Sequence, residues 1–297
     1  MSEPNTTSDR LKSLLLYPLP HHAISRIVHR LAHLDTRLKD PLLRAFIRHF
    51  GVDMSEAEQA DPAAYPSFNA FFTRTLKPGM RPIADEPDAV ACPADGRVSQ
   101  AGRIENGRIF QAKGHDYSVV ELLGGDAARA APFMGGRFAT IYLSPRDYHR
   151  VHMPLAGRLR EMVHVPGRLF SVAPHTVRNV PRLFARNERV AAIFDSEAGP
   201  MAVVLVGAIN VASIETVWCG EVTPPTRHEV DVSLYQTGDV ALARGAEMGR
   251  FNLGSTVILL FGDGDVEWEP SLRPGESVRM GQRIGRQASI CKAEEIG

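Results

Sequence analysis

The sequence predicts an α+β protein in which N-terminal amphipathic helices pack on or beside a β-rich, barrel-sandwich-like core. Three observations carry this. Apolar residues recur at helical spacing between residues 11 and 50, and short β-type runs separated by turn residues fill the chain from residue 90 onward. No long helix–strand alternation, the mark of a doubly wound sheet, lies between them.

The helical part comes first. Ile24, Ile27, Val28, Leu31 and Leu34 follow the i, i+3, i+4 rhythm of one helix face, and Leu43, Phe46, Ile47 and Phe50 repeat it. Pro18, Pro20 and Pro41 divide the region into short pieces. Up to residue 50 there are eight Lys/Arg against four Asp/Glu, and five of the eleven histidines (21, 22, 29, 33, 49) fall here. Such a basic amphipathic segment, with its Leu14-Leu15-Leu16-Tyr17 cluster, suits an anionic membrane surface. A helical hairpin docked on the protein's own core satisfies the same pattern.

The β part comes second. GRVSQAGRI, GRIFQA, GRFATIYL, RVAAIF, MAVVLVGAINVASIETVW, STVILLF and DVEWEP read as strands, with Asn106-Gly107, Pro166-Gly167, Gly262-Asp263-Gly264 and Pro274-Gly275 as turns between them. PGESVRMGQRIG (274–285) reads as a Gly-punctuated hairpin of the kind found in lipoyl-type barrel-sandwich domains. The stretch 221–245 reads as a surface hairpin or loop. With no repeat or flexible linker, helices and β-core are expected to form one globule.

Bulk properties narrow the function. Lys+Arg 34 balance Asp+Glu 34, so no global field favours nucleic acid. Three cysteines, Cys92, Cys219 and Cys291, lack metal-type spacing and suggest free thiols in a reducing compartment. The polar start MSEPNTTSDR is unlike a secretory signal, and no apolar run reaches the roughly 18 residues of a membrane span. The chain is expected inside the cell.

Three short stretches carry candidate chemistry. FNLGSTVILLF (251–261) places Gly254 and Ser255 within an apolar run, where glycine weakens a strand and adds no packing. It is either a bulge or turn, or a site where the Ser255 hydroxyl attacks the Gly254 carbonyl, which no Cβ obstructs. LSPRDYHRVHMP (143–154) sets His149 and His152 beside Asp147, Arg146 and Arg150 just after an apolar run, where loops carry function. One histidine suits a general base; the pair without a third ligand is poor support for a metal; ordinary loop residues are the plain alternative. CPADGRVSQ (92–100) is turn chemistry, with Asp95 able to bond its own backbone and Gly96 free to take positive φ. An aspartate also orients a histidine, so Asp95, His152 and Ser255 form a candidate triad.

Taken together, LGST (253–256), SPRDYHRVHMP (144–154) and PADG (93–96) resemble the bacterial phosphatidylserine decarboxylase family. FNAFFTR (68–74), QAKGHDYS (111–118), LFARNERV (183–190), ASIETVW (212–218) and EMGRFNLGST (247–256) extend the likeness over residues 45 to 285. The resemblance implies a proenzyme that cuts itself between Gly254 and Ser255, with Asp95, His152 and Ser255 as the charge-relay residues. The large chain, 1–254, would then remain with a small chain, 255–297, as a heterodimer, and a dimer of such units is a further expectation.

By the same resemblance, Ser255 becomes a covalent pyruvoyl group, the sole cofactor, and no metal is expected. Its ketone would form a Schiff base with phosphatidylserine and take up the electrons freed as CO2 leaves, giving phosphatidylethanolamine. His149 is expected as a substrate-phosphate contact or proton donor. Residues 1–50 are assigned as a helical membrane-associating segment and 51–297 as the catalytic domain, with the protein peripheral on the cytoplasmic face of the cell membrane. Two rivals remain: a self-processing hydrolase with an N-terminal serine nucleophile, which would keep a free amine, and a non-catalytic membrane-binding protein, which would stay uncut.

Overall fold

The computed structural model describes residues 16–36, 38–209, 213–223, 229–236, 238–252 and 255–288. Helix α1 (His21–Ala32) and helix α2 (Lys39–Phe50) are the first two helices described. Gly51 closes α2 in the left-handed conformation at φ +67°, a C-terminal stop that glycine takes without a Cβ penalty. Short helix α3 (Phe68–Phe72) comes next, its first turn capped by the Ser67 hydroxyl accepting from the Ala70 amide at 3.1 Å.

Among the described residues, eighteen strands come after it. The first half holds β1 (Ala89–Ala91), β2 (Gly96–Arg103), β3 (Arg108–Ala112), β4 (His115–Ser118), β5 (Arg137–Leu143), β6 (Arg150–His152), β7 (Gly157–Val165), β8 (Arg189–Ser196) and β9 (Gly199–Val206). The second half holds β10 (Ile214–Thr216), β11 (Gly220–Glu221), β12 (Asp231–Leu234), β13 (Ala241–Leu242), β14 (Glu247–Phe251), β15 (Ser255–Phe261), β16 (Val266–Trp268), β17 (Ser277–Val278) and β18 (Arg283–Gln287). The main sheet runs β12-β7-β8-β9-β15-β5-β2-β17, with β13 also on β7. A second sheet runs β11-β10-β14-β6, a third β1-β18-β16, and β3-β4 is a hairpin.

The α+β class therefore holds, with helices at the N-terminus and a sheet-rich core. The barrel-sandwich detail does not: the main sheet is open, and its ends β12 and β17 are not paired with each other among the described residues. Nor is 274–285 a hairpin. Strand β17 joins β2 in the main sheet while β18 joins β1 and β16 in the third, and Gly281 turns between them at φ +84°. Likewise β12 and β13, from the stretch read as a hairpin or loop, each pair with β7 rather than with each other.

The core reflects the composition of the strands. All seven residues of β15 are buried, as are the last six of β9, because both central strands are largely apolar and covered on both faces. A second, smaller core joins α1 and α2 to α3 through Ala32, Leu43, Val52, Tyr65, Phe71 and Phe72. The helical segment is thus packed against residues beyond position 50 rather than standing apart from them.

The apolar stripe read from the sequence divides. Leu43 is buried, with Val28, Phe46 and Ile47 packed on the same small core. Ile27 (57%), Leu31 (61%) and Leu34 (49%) are exposed, as are Leu38 (78%) and Leu42 (58%) outside the stripe, whereas His21, Ser25 and Ala32 form the buried side of α1. The inner side is polar because it docks on loops by hydrogen bonds: His22 Nε2 lies 2.9 Å from the Gly167 carbonyl, and the Leu169 amide donates to His21 Nδ1. Among the described residues no helix is long and apolar enough to cross a membrane.

Candidate active site

The ends of three neighbouring strands bring the candidate residues into one region. Asp95 immediately precedes β2, Leu143 ends β5 and Ser255 begins β15, and β5 lies between the other two in the sheet. Ser255 pairs with Leu143 across the ladder. The interruption seen in FNLGSTVILLF is therefore not inside a single strand: β14 ends at Phe251 in the second sheet and β15 starts at Ser255 in the first. Gly254 lies outside the described residues, as does Cys291. Ser255 is fully buried, and its hydroxyl has no hydrogen-bond partner among the described residues. A buried hydroxyl left without a partner costs about 1–3 kcal/mol, so its retention wants a reason.

The loop after β5 is built by its sequence. Ser144-Pro145-Arg146-Asp147 makes a turn in which proline presets the second position, and the Asp147 amide donates to the Ser144 carbonyl at 3.0 Å. The Asp147 carboxylate accepts from both the Ser144 amide and hydroxyl at 2.7 Å. Burial raises the Asp147 pKa, against those two bonds. The same Ser144 carbonyl lies 3.1 Å from His149 Nε2. A carbonyl only accepts, so Nε2 carries the hydrogen and Nδ1 presents a lone pair, which has no partner among the described residues. Phe72 of α3 covers the ring, centroids 4.0 Å apart. Burial, then the nearby Arg74 charge, pushes the His149 pKa down to about 3, leaving the ring neutral at pH 7.

His152 ends β6. Its Nδ1 lies 2.8 Å from the Gly245 carbonyl, which makes Nδ1 the protonated nitrogen and Nε2 the basic one. Nε2 accepts from the Tyr148 hydroxyl at 3.1 Å. Burial lowers the His152 pKa, and the Gly245 carbonyl opposes that. The two imidazoles thus engage different partners.

Asp95 sits beside His152 through the backbone, the His152 amide donating to the Pro93 carbonyl at 2.8 Å. Its carboxylate faces elsewhere: it accepts from Arg81 Nε at 2.8 Å and from the Met280 amide at 2.8 Å, with Arg81 also reaching Glu56. It does not bond its own backbone as the turn reading expected, because the amide and guanidinium are better placed donors. Gly96 also serves differently, its φ not being positive. A Cβ there would sit 2.3 Å from the Tyr142 carbonyl, so glycine permits the close approach of β2 to β5. No hydrogen bond links Asp95, His152 and Ser255 to one another among the described residues.

A cavity of about 530 Å³ opens beside Asp95, with Arg74, Arg81, Ser144, Asp147 and Tyr148 in its wall. His149, His152 and Ser255 do not line it, though Tyr148 connects it to His152.

A family model described as phosphatidylserine decarboxylase matches residues 68–286, most of the chain. The chain belongs to the phosphatidylserine decarboxylase family. This is a family of carboxy-lyases, as the motif resemblance implied. A second model, described as PSD, matches residues 11–51. The phosphatidylserine decarboxylase proenzyme of Alkalilimnicola ehrlichii is 65% identical over 259 residues, covering 86% of this chain and 90% of that one. Those of Ectopseudomonas mendocina and Bordetella pertussis are each 60% identical, over 93% and 95% of this chain and 98% and 96% of theirs.

Several members of this candidate site were not singled out from the sequence. Phe72 and Arg74 lie in FNAFFTR and Tyr148 in SPRDYHRVHMP, so the motifs contained them but gave them no role. Asn252 also belongs here: its side chain accepts from Asn69 Nδ2 at 3.0 Å and donates to the Ser213 hydroxyl, fixing the residue two before Gly254. Arg81 left no readable signal, because only folding reveals which carboxylate an arginine meets.

Proposed function

We propose that the protein is a proenzyme that converts itself, by scission between Gly254 and Ser255, into a phosphatidylserine decarboxylase acting at a membrane surface. The observation that carries this is the buried Ser255 hydroxyl, without a partner among the described residues, at the first residue of a central strand in a chain whose family decarboxylates phosphatidylserine. The relatives' designation as proenzymes supports self-processing.

In the scission the Ser255 oxygen attacks the Gly254 carbonyl carbon and the Ser255 nitrogen departs as an amine, leaving an ester. Removal of the Ser255 Cα hydrogen then breaks the Cβ–oxygen bond and frees the Gly254 carboxylate. Water displaces ammonia from the remaining dehydroalanine and leaves a ketone at the head of 255–297. His152 is assigned as the base, its Nε2 being the nitrogen with the lone pair, and Asp95 as the carboxylate that favours its charged form. The residues fit such a group, since the position of Ser255 is enclosed and its oxygen has no hydrogen bond to lose among the described residues. A pyruvoyl group there supplies a carbonyl that holds the substrate amine and takes up the electron pair released with CO2.

The Nδ1 of neutral His149, without a partner among the described residues, suits proton exchange with the substrate carbon. It brings no charge to a phosphate. Residues 1–50 are assigned to membrane contact and 51–297 to catalysis, with chains 1–254 and 255–297 held together as a heterodimer by strand pairing of β15 with β5 and β9. The exposed Ile27, Leu31, Leu34, Leu38 and Leu42, with arginines among them, support peripheral binding at the cytoplasmic membrane face.

Intact mass measurement of the purified protein tests the reading. Two chains are expected, the smaller lacking one nitrogen and reacting with a carbonyl-directed amine, together with CO2 release from phosphatidylserine. A smaller chain headed by free serine would instead identify a self-processing hydrolase.

A further inference from the structure

Among the described residues, Arg74 makes no ion pair, although Asp95, Asp147 and Glu56 act on it from farther off. Its side chain is almost wholly inside, the residue being 4% exposed, and its Nη2 donates to the Arg146 carbonyl at 3.1 Å. Nε and Nη1 have no acceptor among the described residues, and the guanidinium cannot shed its proton. Its face is held over the Phe71 ring at 5.4 Å. A buried charge left so is costly unless something arrives to pair with it.

Most of the other charges around the cavity are already engaged. Arg81 is bound to Asp95 and Glu56, and Arg279 reaches Glu56 at 3.3 Å. Of the carboxylates, Asp53 accepts from Ser55 and Asp147 from Ser144, while Asp95 and Glu56 are held by Arg81. Exposed Arg97 and Arg146 stand at the rim, Arg146 no nearer than 3.9 Å to Asp147. The five arginines of the wall (74, 81, 97, 146, 279) exceed its four carboxylates (53, 56, 95, 147) by one, and the buried Arg74 is the one with two N–H groups unpaired among the described residues, an excess that favours an anion.

The structure assigns this cavity, in our inference, to the phosphodiester of the lipid headgroup, with Arg74 as its inner cation. The assignment rests on the decarboxylase reading and identifies where its substrate's anion is held. The headgroup offers two anions, and the chemistry separates them. The carboxylate must lose its charge as CO2 departs, so a cation bound to it would stabilise the ground state and oppose reaction. The phosphodiester keeps its charge throughout and can be held without that penalty. A volume of about 530 Å³ accepts a headgroup. Gly51 and Asp53, directly after α2, are in its wall, so its mouth adjoins the helix that carries the exposed Leu42. Tyr142 and Ser144 of the wall flank Leu143, the ladder partner of Ser255.

The test uses the self-processed full-length protein and short-chain phosphatidylserine in micelles. Arg74→Gln is expected to raise KM roughly 10- to 100-fold with a smaller change in kcat, as loss of a charged hydrogen bond to bound substrate does. Arg74→Lys should recover part of the loss, which a merely structural role would not predict. Glycerol 3-phosphate should inhibit the unmutated enzyme competitively and the Arg74→Gln enzyme far less. Inorganic phosphate inhibiting as well as glycerophosphoserine would show a general phosphate site, and stronger inhibition by glycerophosphoserine a headgroup site; either keeps the phosphate assignment. Unchanged KM and equal inhibition in Arg74→Gln would overturn it, as would selective loss of inhibition by malonate, a carboxylate probe. If the glutamine variant does not fold, absence of glycerol 3-phosphate inhibition in the unmutated enzyme overturns it too. Should the unmutated chain release no CO2, the decarboxylase reading fails, while calorimetric titration with glycerol 3-phosphate still decides whether Arg74 binds phosphate.

Discussion

The Phe72 ring lies against the His149 imidazole with centroids 4.0 Å apart and planes 24° from parallel. That contact ties the helical layer to the site, since Phe46 of α2 also packs on Phe72 at 6.2 Å. Phe72→Leu should cost about 1–2 kcal/mol and admit water to the ring. The His149 pKa should then climb from about 3 toward its ordinary value, read by histidine NMR titration. A pKa that stays put would mean that Arg74, rather than burial, holds it down.

Stability should fall with acidification through His149. Its folded pKa, about 3, is below the unfolded value of 6.5, so the unfolded chain takes up the proton first as pH drops through 6.5. The stabilisation is complete above 6.5 and shrinks from there toward pH 3. At pH 5.5 the loss from this one group is about 1.4 kcal/mol. Urea unfolding at pH 7.5 and 5.5 should show His149→Gln losing less between the two pH values than the unmutated protein, by about that amount.

Breaking the Arg81–Asp95 pair should be severe. Both side chains are largely buried, at 6% and 10% exposure, and Arg81→Met strands a carboxylate there. The expected cost is about 3–5 kcal/mol by denaturant titration. Adding Asp95→Asn should restore part of that stability, although self-cleavage should stay lost. A single variant as stable as the parent would show that Met280 and solvent suffice to hold Asp95.

Ser255→Ala should abolish scission and yet leave the fold as stable as before or up to about 1 kcal/mol more so, because it deletes a buried hydroxyl that bonds nothing among the described residues. One uncut band on a denaturing gel and an unchanged or raised Tm are the readouts. A clear loss of stability would show that the hydroxyl has a structural partner after all.

The double variant Leu31→Ser/Leu38→Ser should bind vesicles containing anionic lipid at least about tenfold more weakly, with unfolding free energy changed by less than about 1 kcal/mol. Both leucines are exposed, so the fold does not need them. Undiminished vesicle sedimentation would move the membrane contact elsewhere on the molecule.

By itself the sequence determined the class of the protein and the chemistry available to it. Periodicity is a local property, so the helices of the N-terminus, the apolar strand that becomes β15 and the Asn106-Gly107 turn, both residues at positive φ, were legible directly. Motifs are also local, and they named Ser255, His149, His152 and Asp95 together with the family. Tertiary structure decided what each of these faces. Strand pairing depends on contacts between residues far apart in the chain, so nothing local could say that β17 and β18 enter different sheets, or that β14 and β15 do. The apolar stripe of α1 could have pointed wholly inward; Ile27, Leu31 and Leu34 face outward while histidine hydrogen bonds to the 167–169 loop hold the opposite side. In the same way Asp95 finds Arg81, His152 finds the Gly245 carbonyl, and Arg74 finds no ion-pair partner among the described residues, since polar and charged partners are settled only when separate segments meet.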